Sequence, residues 1–384
     1  MIEAHGGVLV DRQLTGEEAA RLAASDLPRV TVSGETAQDL RNIGAGVYSP
    51  LVGPVGSAEF EAILSTGRLP SGVPWTIPIV LDVAREQAEG LTEGREVVVY
   101  EHTDAGQRLA AWLHLQESYE FDKQAFARGV FGTEDESHPG VQRTRARGEV
   151  LLAGPVESVS LRDERFQGYD LTPAEVRAVI EQRGWRTTVA FQTRNVPHVG
   201  HEDLQKTVLG LCDGLLIQPL VGRKKSGDFR DEVILAAYRA LIDSYFPPDR
   251  MVLSVLPTEM RYAGPKEAVM HAIMRKNHGC THIIIGRDHA GVGDFYPPEA
   301  AIEVFAEYPD LGIQPITIRG DFFYCRKCAR ISSERTCPHP AQQHIAFSGT
   351  RIRALLRSGG QPPPEIMRPE VFAVLRAATD PFVP

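Results

Sequence analysis

Apolar residues follow two different rhythms along the chain. Over the first 150 residues or so, short apolar runs alternate with Gly/Pro turns: Arg29-Val30-Thr31-Val32, Ile77-Pro78-Ile79-Val80-Leu81-Asp82-Val83 and Glu96-Val97-Val98-Val99-Tyr100. Runs of this length bounded by turn formers predict strands, and together a small mixed or barrel-like β domain. The segment from Asn42 to Pro54, interrupted by Gly44, Gly46, Pro50 and Gly53, predicts a loop.

The second rhythm begins near residue 172. Thr172-Pro173-Ala174-Glu175 predicts a helix start, with Thr172 as N-cap, proline at the first helical position and an acid in the first turn. Strands are then predicted at Thr187–Gln192, Gly214–Pro219, Met251–Val255 and Thr281–Gly286, separated by helices at Glu202–Leu211, Asp231–Tyr245 and Lys266–Asn277. Near-continuous apolar strands alternating with helices imply βαβ units and a parallel sheet covered on both faces. Towards the C-terminus, Ser348–Arg357 and Pro369–Ala378 predict two further short helices around a Pro-rich turn. The chain is therefore read as α/β in three parts: a β-rich domain (1–155), a Rossmann-like domain with a parallel sheet (156–315) and a small C-terminal domain (316–384).

Composition narrows the function classes. The 384 residues are 42% hydrophobic and 24% charged, ordinary for a globular chain and against disorder. A formal charge of -9 repels long polyanions, so a general nucleic-acid or membrane-surface binder is not expected, whereas small anions held by local basic groups are. No apolar run is long enough to span a bilayer, and Met1–Gly7 has no secretory signal, so a cytoplasmic protein is expected.

In a parallel sheet, ligands sit outside the carboxyl ends of the strands. Two such ends carry candidate chemistry. The first strand runs into Gln192-Thr193-Arg194-Asn195-Val196-Pro197-His198-Val199-Gly200-His201, and a polar loop entering a helix N-terminus is ready for an anion. The three-residue spacing of His198 and His201 is unspecific in a chain with twelve histidines; its place beside Arg194 and Asn195 gives it weight. The other end is Gly286-Arg287-Asp288-His289-Ala290-Gly291, whose glycines do not fit the dinucleotide fingerprint but suit a nest of backbone N–H groups. No G-x-x-x-x-G-K-[ST] sequence is present, which argues against a P-loop kinase. Arg223-Lys224-Lys225 is either a phosphate-reaching or a solvated basic loop.

Of five cysteines, Cys212 and Cys280 are expected to be packing residues, while Cys325, Cys328 and Cys337 cluster. With a histidine they would complete a closed, structural Zn²⁺ site; a redox pair is the alternative. His344 is favoured as the fourth ligand because it leaves room for a loop to return, with His339 as the other choice.

Taken together, Tyr48-Ser49-Pro50-Leu51, Glu136-Ser137-His138-Pro139-Gly140-Val141, Gln192–Asn195, the histidine pair, Met260–Ala268 and Gly286–Gly291 resemble the ATP sulfurylase (sulfate adenylyltransferase) family over nearly the whole chain. The resemblance is to bacterial members with a zinc-binding C-terminal segment and no fused adenylylsulfate kinase. It implies a PUA-like β domain joined to a Rossmann-like nucleotidyltransferase domain. It also implies ATP and sulfate as substrates, adenosine 5′-phosphosulfate and pyrophosphate as products, Mg²⁺ with ATP, and a homodimer. Matched residue by residue, it gives sulfate binding to Gln192, Arg194 and the Ala290 N–H, and ATP binding to Gln192–Asn195, His198, His201 and Gly286, Arg287, Asp288 and His289. Thr193, Arg194 and Asn195 match catalytic positions, and His198 and His201 match transition-state stabilisers. One departure is visible: the commonest family pattern has proline directly after the asparagine, where this chain has Val196. Competing readings are a nucleotidyltransferase with another acceptor and, in a different class, a zinc-stabilised RNA-binding protein.

Overall fold

The computed structural model describes residues 1–347 and 349–384, leaving aside the side chains of Thr350 and Arg351. It divides into two compact units, neither continuous in sequence. One comprises Met1–Arg162, Thr172–Ala178 and Thr258–Ile316; the other comprises Asp163–Leu171, Val179–Pro257 and Thr317–Pro384.

In the first unit, a five-stranded sheet has the spatial order Gln13–Leu14, Val156–Val159, Gly106–His114, Glu96–Thr103, Arg29–Val32. Its centre is the antiparallel pair Glu96–Thr103 and Gly106–His114, with Val98 opposite Trp112 and an irregularity between Val99 and Tyr100. A three-stranded antiparallel sheet is formed by Leu81–Val83, Val150–Ala153 and Glu117–Glu120. The expected strand at Ile77–Val83 is thus confined to its last three residues. Pro78 has no N–H to give a ladder, so Ile77, Ile79 and Val80 are buried without pairing as a strand. The expected loop at Asn42 also differs: Asn42, Ile43 and Gly44 are the last turn of the helix Gly34–Gly44, whose N-cap Ser33 accepts from the Thr36 N–H. Leu40 and Ile43 are fully buried, and that packing outweighs the loop-like composition. The unit also holds the helix Pro265–Asn277 and the strand His282–Gly286.

The second unit is built on parallel strands in the order Met251–Leu253, Gly214–Val221, Thr188–Thr193. Every residue of the central strand is buried, as its apolar run predicts. Gln192 lies opposite Gln218 in the ladder, so the strand end that enters the candidate loop is polar on both strands. Helices Val199–Leu209 and Asp231–Tyr245 connect the strands. A three-stranded antiparallel sheet, Arg330–Ser333, Phe322–Cys325 and His344–Ala346, precedes the helices Gly349–Arg357 and Pro369–Ala377. The predicted helix start at Ser348 lies outside the described residues. The boundary near residue 172 falls at a capping box, in which Thr172 Oγ1 accepts from the Glu175 N–H at 3.3 Å while Glu175 accepts from the Thr172 N–H at 2.7 Å.

Candidate active site

The loop after the strand Thr188–Thr193 is held from within and from the C-terminal segment. Thr193 Oγ1 donates to the Asn195 carbonyl and accepts from the Asn195 N–H, both at 3.2 Å, closing a tight turn. Val196, the departure from the family pattern, is 3% exposed, so its side chain anchors the loop in the core. Asn195 Oδ1 accepts from Arg353 at 3.3 Å, and the Val199 N–H donates to the Ile366 carbonyl at 2.9 Å. Gln192 Oε1 is buried with no partner among the described residues, an open hydrogen-bonding demand at the strand end.

His198 is the N-cap of the helix Val199–Leu209, its Nδ1 accepting from the His201 N–H at 3.2 Å. That bond uses the Nδ1 lone pair and so places the ring proton of the neutral imidazole on Nε2, leaving a donor there. The two imidazoles are stacked, with centroids 3.7 Å apart and 18° between planes. Phe347 stacks on His198 at 5.0 Å and 6°, and Phe191 meets His201 edge-on at 5.4 Å. This burial pushes His201 down to about 4, and burial together with its histidine neighbour pushes His198 well below the usual imidazole range. Both rings are neutral hydrogen-bonding groups at neutral pH. The carboxylate nearest in sequence, Glu202, is taken up by Arg368 at 2.8 and 2.9 Å and by Lys206 at 2.6 Å.

In the other unit, the Gly286–Gly291 turn carries φ values of 55° at Asp288 and 59° at Ala290. Both residues lie in the left-handed region, which orients successive N–H groups into a concave cluster. Gly291 leaves room for the Asp288 carboxylate, which a Cβ would meet at 2.0 Å. The turn is tied by Asp288 N–H to the Pro298 carbonyl at 2.8 Å and by Gly264 N–H to the Ala290 carbonyl at 3.1 Å. The Ala290 N–H has no acceptor among the described residues.

His289 is fixed by a buried relay that the sequence did not reveal. Glu267 accepts from the Arg261 and Ala263 N–H groups at 2.8 and 3.0 Å. Burial would raise its carboxyl, but the hydrogen bonds from His271 and these amides hold it low and ionised. His271 Nε2 therefore donates to Glu267 at 3.4 Å, and His271 Nδ1 accepts from His289 Nε2 at 3.0 Å. His289 is left with a bare Nδ1, and burial next to His271 pushes it down to about 3. The four-residue spacing of Glu267 and His271 on one helix was the available signal.

Other expectations resolve more simply. Lys224 is paired with Asp231 at 2.8 Å and is mostly buried, so it is part of the framework. Arg261 makes a buried pair with Asp39 at 2.7 and 2.8 Å, a structural task. Cys212 and Cys280 are buried and in no disulfide.

The remaining three cysteines converge with His339, all four ligand atoms lying within 4.8 Å of one another. Here the structure corrects the expected fourth member. His339 Nδ1 lies 3.5, 3.2 and 3.6 Å from the sulfurs of Cys325, Cys328 and Cys337. His344 is a strand residue opposite Cys325, with its ring stacked on Phe323 at 3.6 Å and its Nε2 3.6 Å from the Cys337 sulfur alone. The tight Cys337-Pro338-His339 turn brings the His339 ring back over the thiols.

Five histidines in this protein are neutral well below their usual range. His5 and His201 are pushed down to about 4 and His278 and His289 to about 3, burial being the main cause in each, and His198 moves the same way. Unfolding frees them to take up protons, so the unfolded chain binds more protons than the folded one between about pH 6.5 and the folded values. Their contribution to stability is full above that window and is lost as pH falls through it. Urea midpoints should drop steadily from pH 6.5 to pH 4; a flat profile would mean these rings are protonated in the folded state.

Parallel strands that run into donor-rich loops are the arrangement of an α/β enzyme. The ATP-sulfurylase family model matches residues 167–378 and a PUA-like domain model matches residues 2–161. The chain belongs to the ATP-sulfurylase family. It is 47% identical to the sulfate adenylyltransferase of Hyperthermus butylicus over 381 residues, 99% of this chain and 97% of that one. The sulfate adenylyltransferase of Symbiobacterium thermophilum is 47% identical over 97% of this chain and 95% of its own. Among solved structures, the hexameric APS kinase from Thiobacillus denitrificans superposes with a TM-score of 0.75 at 25% identity, covering 99% of this chain and 69% of that one.

Proposed function

We propose that residues of the Gln192–His201 loop carry out adenylyl transfer from ATP to sulfate, the activity of this family. Sulfate adenylyltransferase is the activity of relatives matched at 46–47% identity over almost the full length, and the chain is an enzyme of that nucleotidyltransferase class. A sulfate oxygen attacks the α-phosphorus of ATP, the bond to the bridging oxygen breaks, and pyrophosphate leaves with the electron pair. Adenosine 5′-phosphosulfate remains. Sulfate is fully ionised at neutral pH, so no proton has to be removed and no general base is called for.

The observation that carries this reading is the gathering of donors at the loop, where the His198 Nε2 proton stands with the Gln192 amide and Arg194. Gln192 and Arg194 take sulfate, Thr193 and Asn195 shape the turn, and the Nε2 proton of His198 is offered to oxygens that gain charge in the transition state. His201 acts beside it as a neutral ring. The Gly286–Gly291 turn supplies an N–H donor at Ala290 for anionic oxygens, and Arg287 supplies charge for ATP. Mg²⁺ entering with ATP would offset charge on the departing pyrophosphate.

The Cys325, Cys328, Cys337 and His339 cluster fits a structural Zn²⁺. A tetrahedral site has sulfur–sulfur edges of about 3.8 Å and sulfur–nitrogen edges of about 3.6 Å, and the Cys328–Cys337 separation is 3.8 Å. Four protein ligands leave no open position, so the metal would staple the fold.

Pyrophosphate release from MgATP with and without sulfate tests the reading. Release is expected only with sulfate or with acceptor-only analogues such as selenate and molybdate. Monohydrogen phosphate carries a proton that needs an acceptor; where the Gln192 amide N–H and Arg194 both face the anion as donors it is left unpaired, at a cost of about 1–3 kcal/mol. Equal turnover of phosphate and sulfate would overturn this donor-lined reading.

A further inference from the structure

We infer that Phe347 is a positioning residue for the adenylyl transfer, delivering the Cys/His hairpin's support directly onto His198. The inference rests on the reading of His198 given above.

The strand His344–Ala346 pairs antiparallel with Phe322–Cys325, placing Cys325 opposite His344 and Phe323 opposite Ala346. Phe347 is the next residue along, so its backbone is set by a ladder whose far end is a thiol of the four-ligand cluster. The ladder is extended beyond the strands by the Arg326 N–H, which donates to the Gln343 carbonyl at 2.9 Å. Phe347 is thereby carried to His198, where the two rings lie nearly parallel, 5.0 Å apart. His198 is sandwiched, with His201 on its other face at 3.7 Å.

Gly200 shows how closely this stack is fitted. A Cβ at that position would meet Phe347 Cδ2 at 3.0 Å and His198 Cε1 at 3.1 Å. A side chain there would press on both rings, so the small residue lets the phenyl ring close over the imidazole. The helix cap fixes one edge of His198 through Nδ1, but a single hydrogen bond leaves the ring free to rock about that contact. Two faces pressed between Phe347 and His201 remove that freedom, and an Nε2 donor has to be held to well within an ångström to act on a transition state.

The C-terminal segment grips the same loop at three other points, through Arg353 to Asn195, Ile366 to Val199 and Arg368 to Glu202. Those contacts hold backbone and carboxylate. Phe347 alone among them touches a ring of the histidine pair, which sets its role apart from general support.

The test compares Phe347→Leu, Phe347→Tyr and His198→Ala in the full-length protein. Phe347→Leu should lower kcat by about 10- to 100-fold, the scale of a small misplacement, while KM for ATP, zinc content and Tm stay near wild type. Phe347→Tyr, which keeps the ring, should restore kcat. In histidine-labelled protein, the ring protons of His198, assigned by their absence in His198→Ala, should lose their ring-current shift in Phe347→Leu. Phe347→Met, similar in volume and without a ring, asks the same question should the leucine variant lose zinc. Wild-type kcat in Phe347→Leu or Phe347→Met alongside a dead His198→Ala would overturn the positioning role and leave the reading of His198 standing. An active His198→Ala would overturn both.

Discussion

Replacing Arg194 by alanine should reduce sulfate-dependent pyrophosphate release by roughly a thousandfold or more, with the circular dichroism spectrum and Tm unchanged. The reaction brings a dianion towards a polyphosphate, so its barrier is dominated by charge, and on the proposed reading the Arg194 guanidinium would offset that charge. Loss of one such group elsewhere costs about 10³–10⁵ in rate. Arg194→Lys should recover only a small part, since an ammonium keeps the charge but not the planar fork that grips two oxygens. The residue precedes Asn195, whose turn is closed by Thr193 and Arg353. Activity within a few-fold of wild type would remove Arg194 from the reaction.

The second large effect is expected at the thiol cluster. Cys325→Ser should take bound zinc well below one equivalent per chain and open the C-terminal hairpin to protease. Apparent binding free energies for structural zinc in small peptides reach about 10–16 kcal/mol, as large as the whole stability of an ordinary domain at about 5–15 kcal/mol. The three strands around the cluster have a small core, with Phe323, Cys325 and Ile331 as its buried apolar residues among those described, too few to hold it closed without metal. Cleavage should fall between Phe322 and Ala346, while the five-stranded sheet of the other unit stays resistant. His339→Ala should weaken metal binding more than His344→Ala. An unchanged digestion pattern in the metal-free variant would show that packing alone closes the hairpin.

Legibility in the sequence followed the range of the interactions. Strands buried on both faces announce themselves, so Gly214–Val221 and Thr188–Thr193 were visible as apolar runs. The helix Gly34–Gly44 was half hidden, because the packing that makes Asn42, Ile43 and Gly44 helical comes from elsewhere in the chain. The same holds for the candidate site. Gln192–Asn195 and the histidine pair are local and could be read off one segment. Phe347 lies 149 positions from His198 (347 less 198), and nothing near it in sequence marks it. His271 had a local signal, its spacing from Glu267, but its partner His289 is on another element. The choice between His339 and His344 turned on how sharply a Cys-Pro-His turn bends, which spacing alone does not give.

The discontinuity of the first compact unit bears on how such a protein can be divided or inherited. Asn277, on a helix more than two hundred residues downstream, accepts from the His5 N–H at 2.9 Å and donates to the Val47 and Ser49 carbonyls at 3.0 Å each. The early strands and turns are therefore finished by sequence that is translated last among their neighbours. A ribosome-bound chain ending at residue 162 would still lack that amide, leaving these two carbonyls and one N–H to water. The β-rich arm is better regarded as a co-folding partner of the rest than as a module that recombination could pass on by itself.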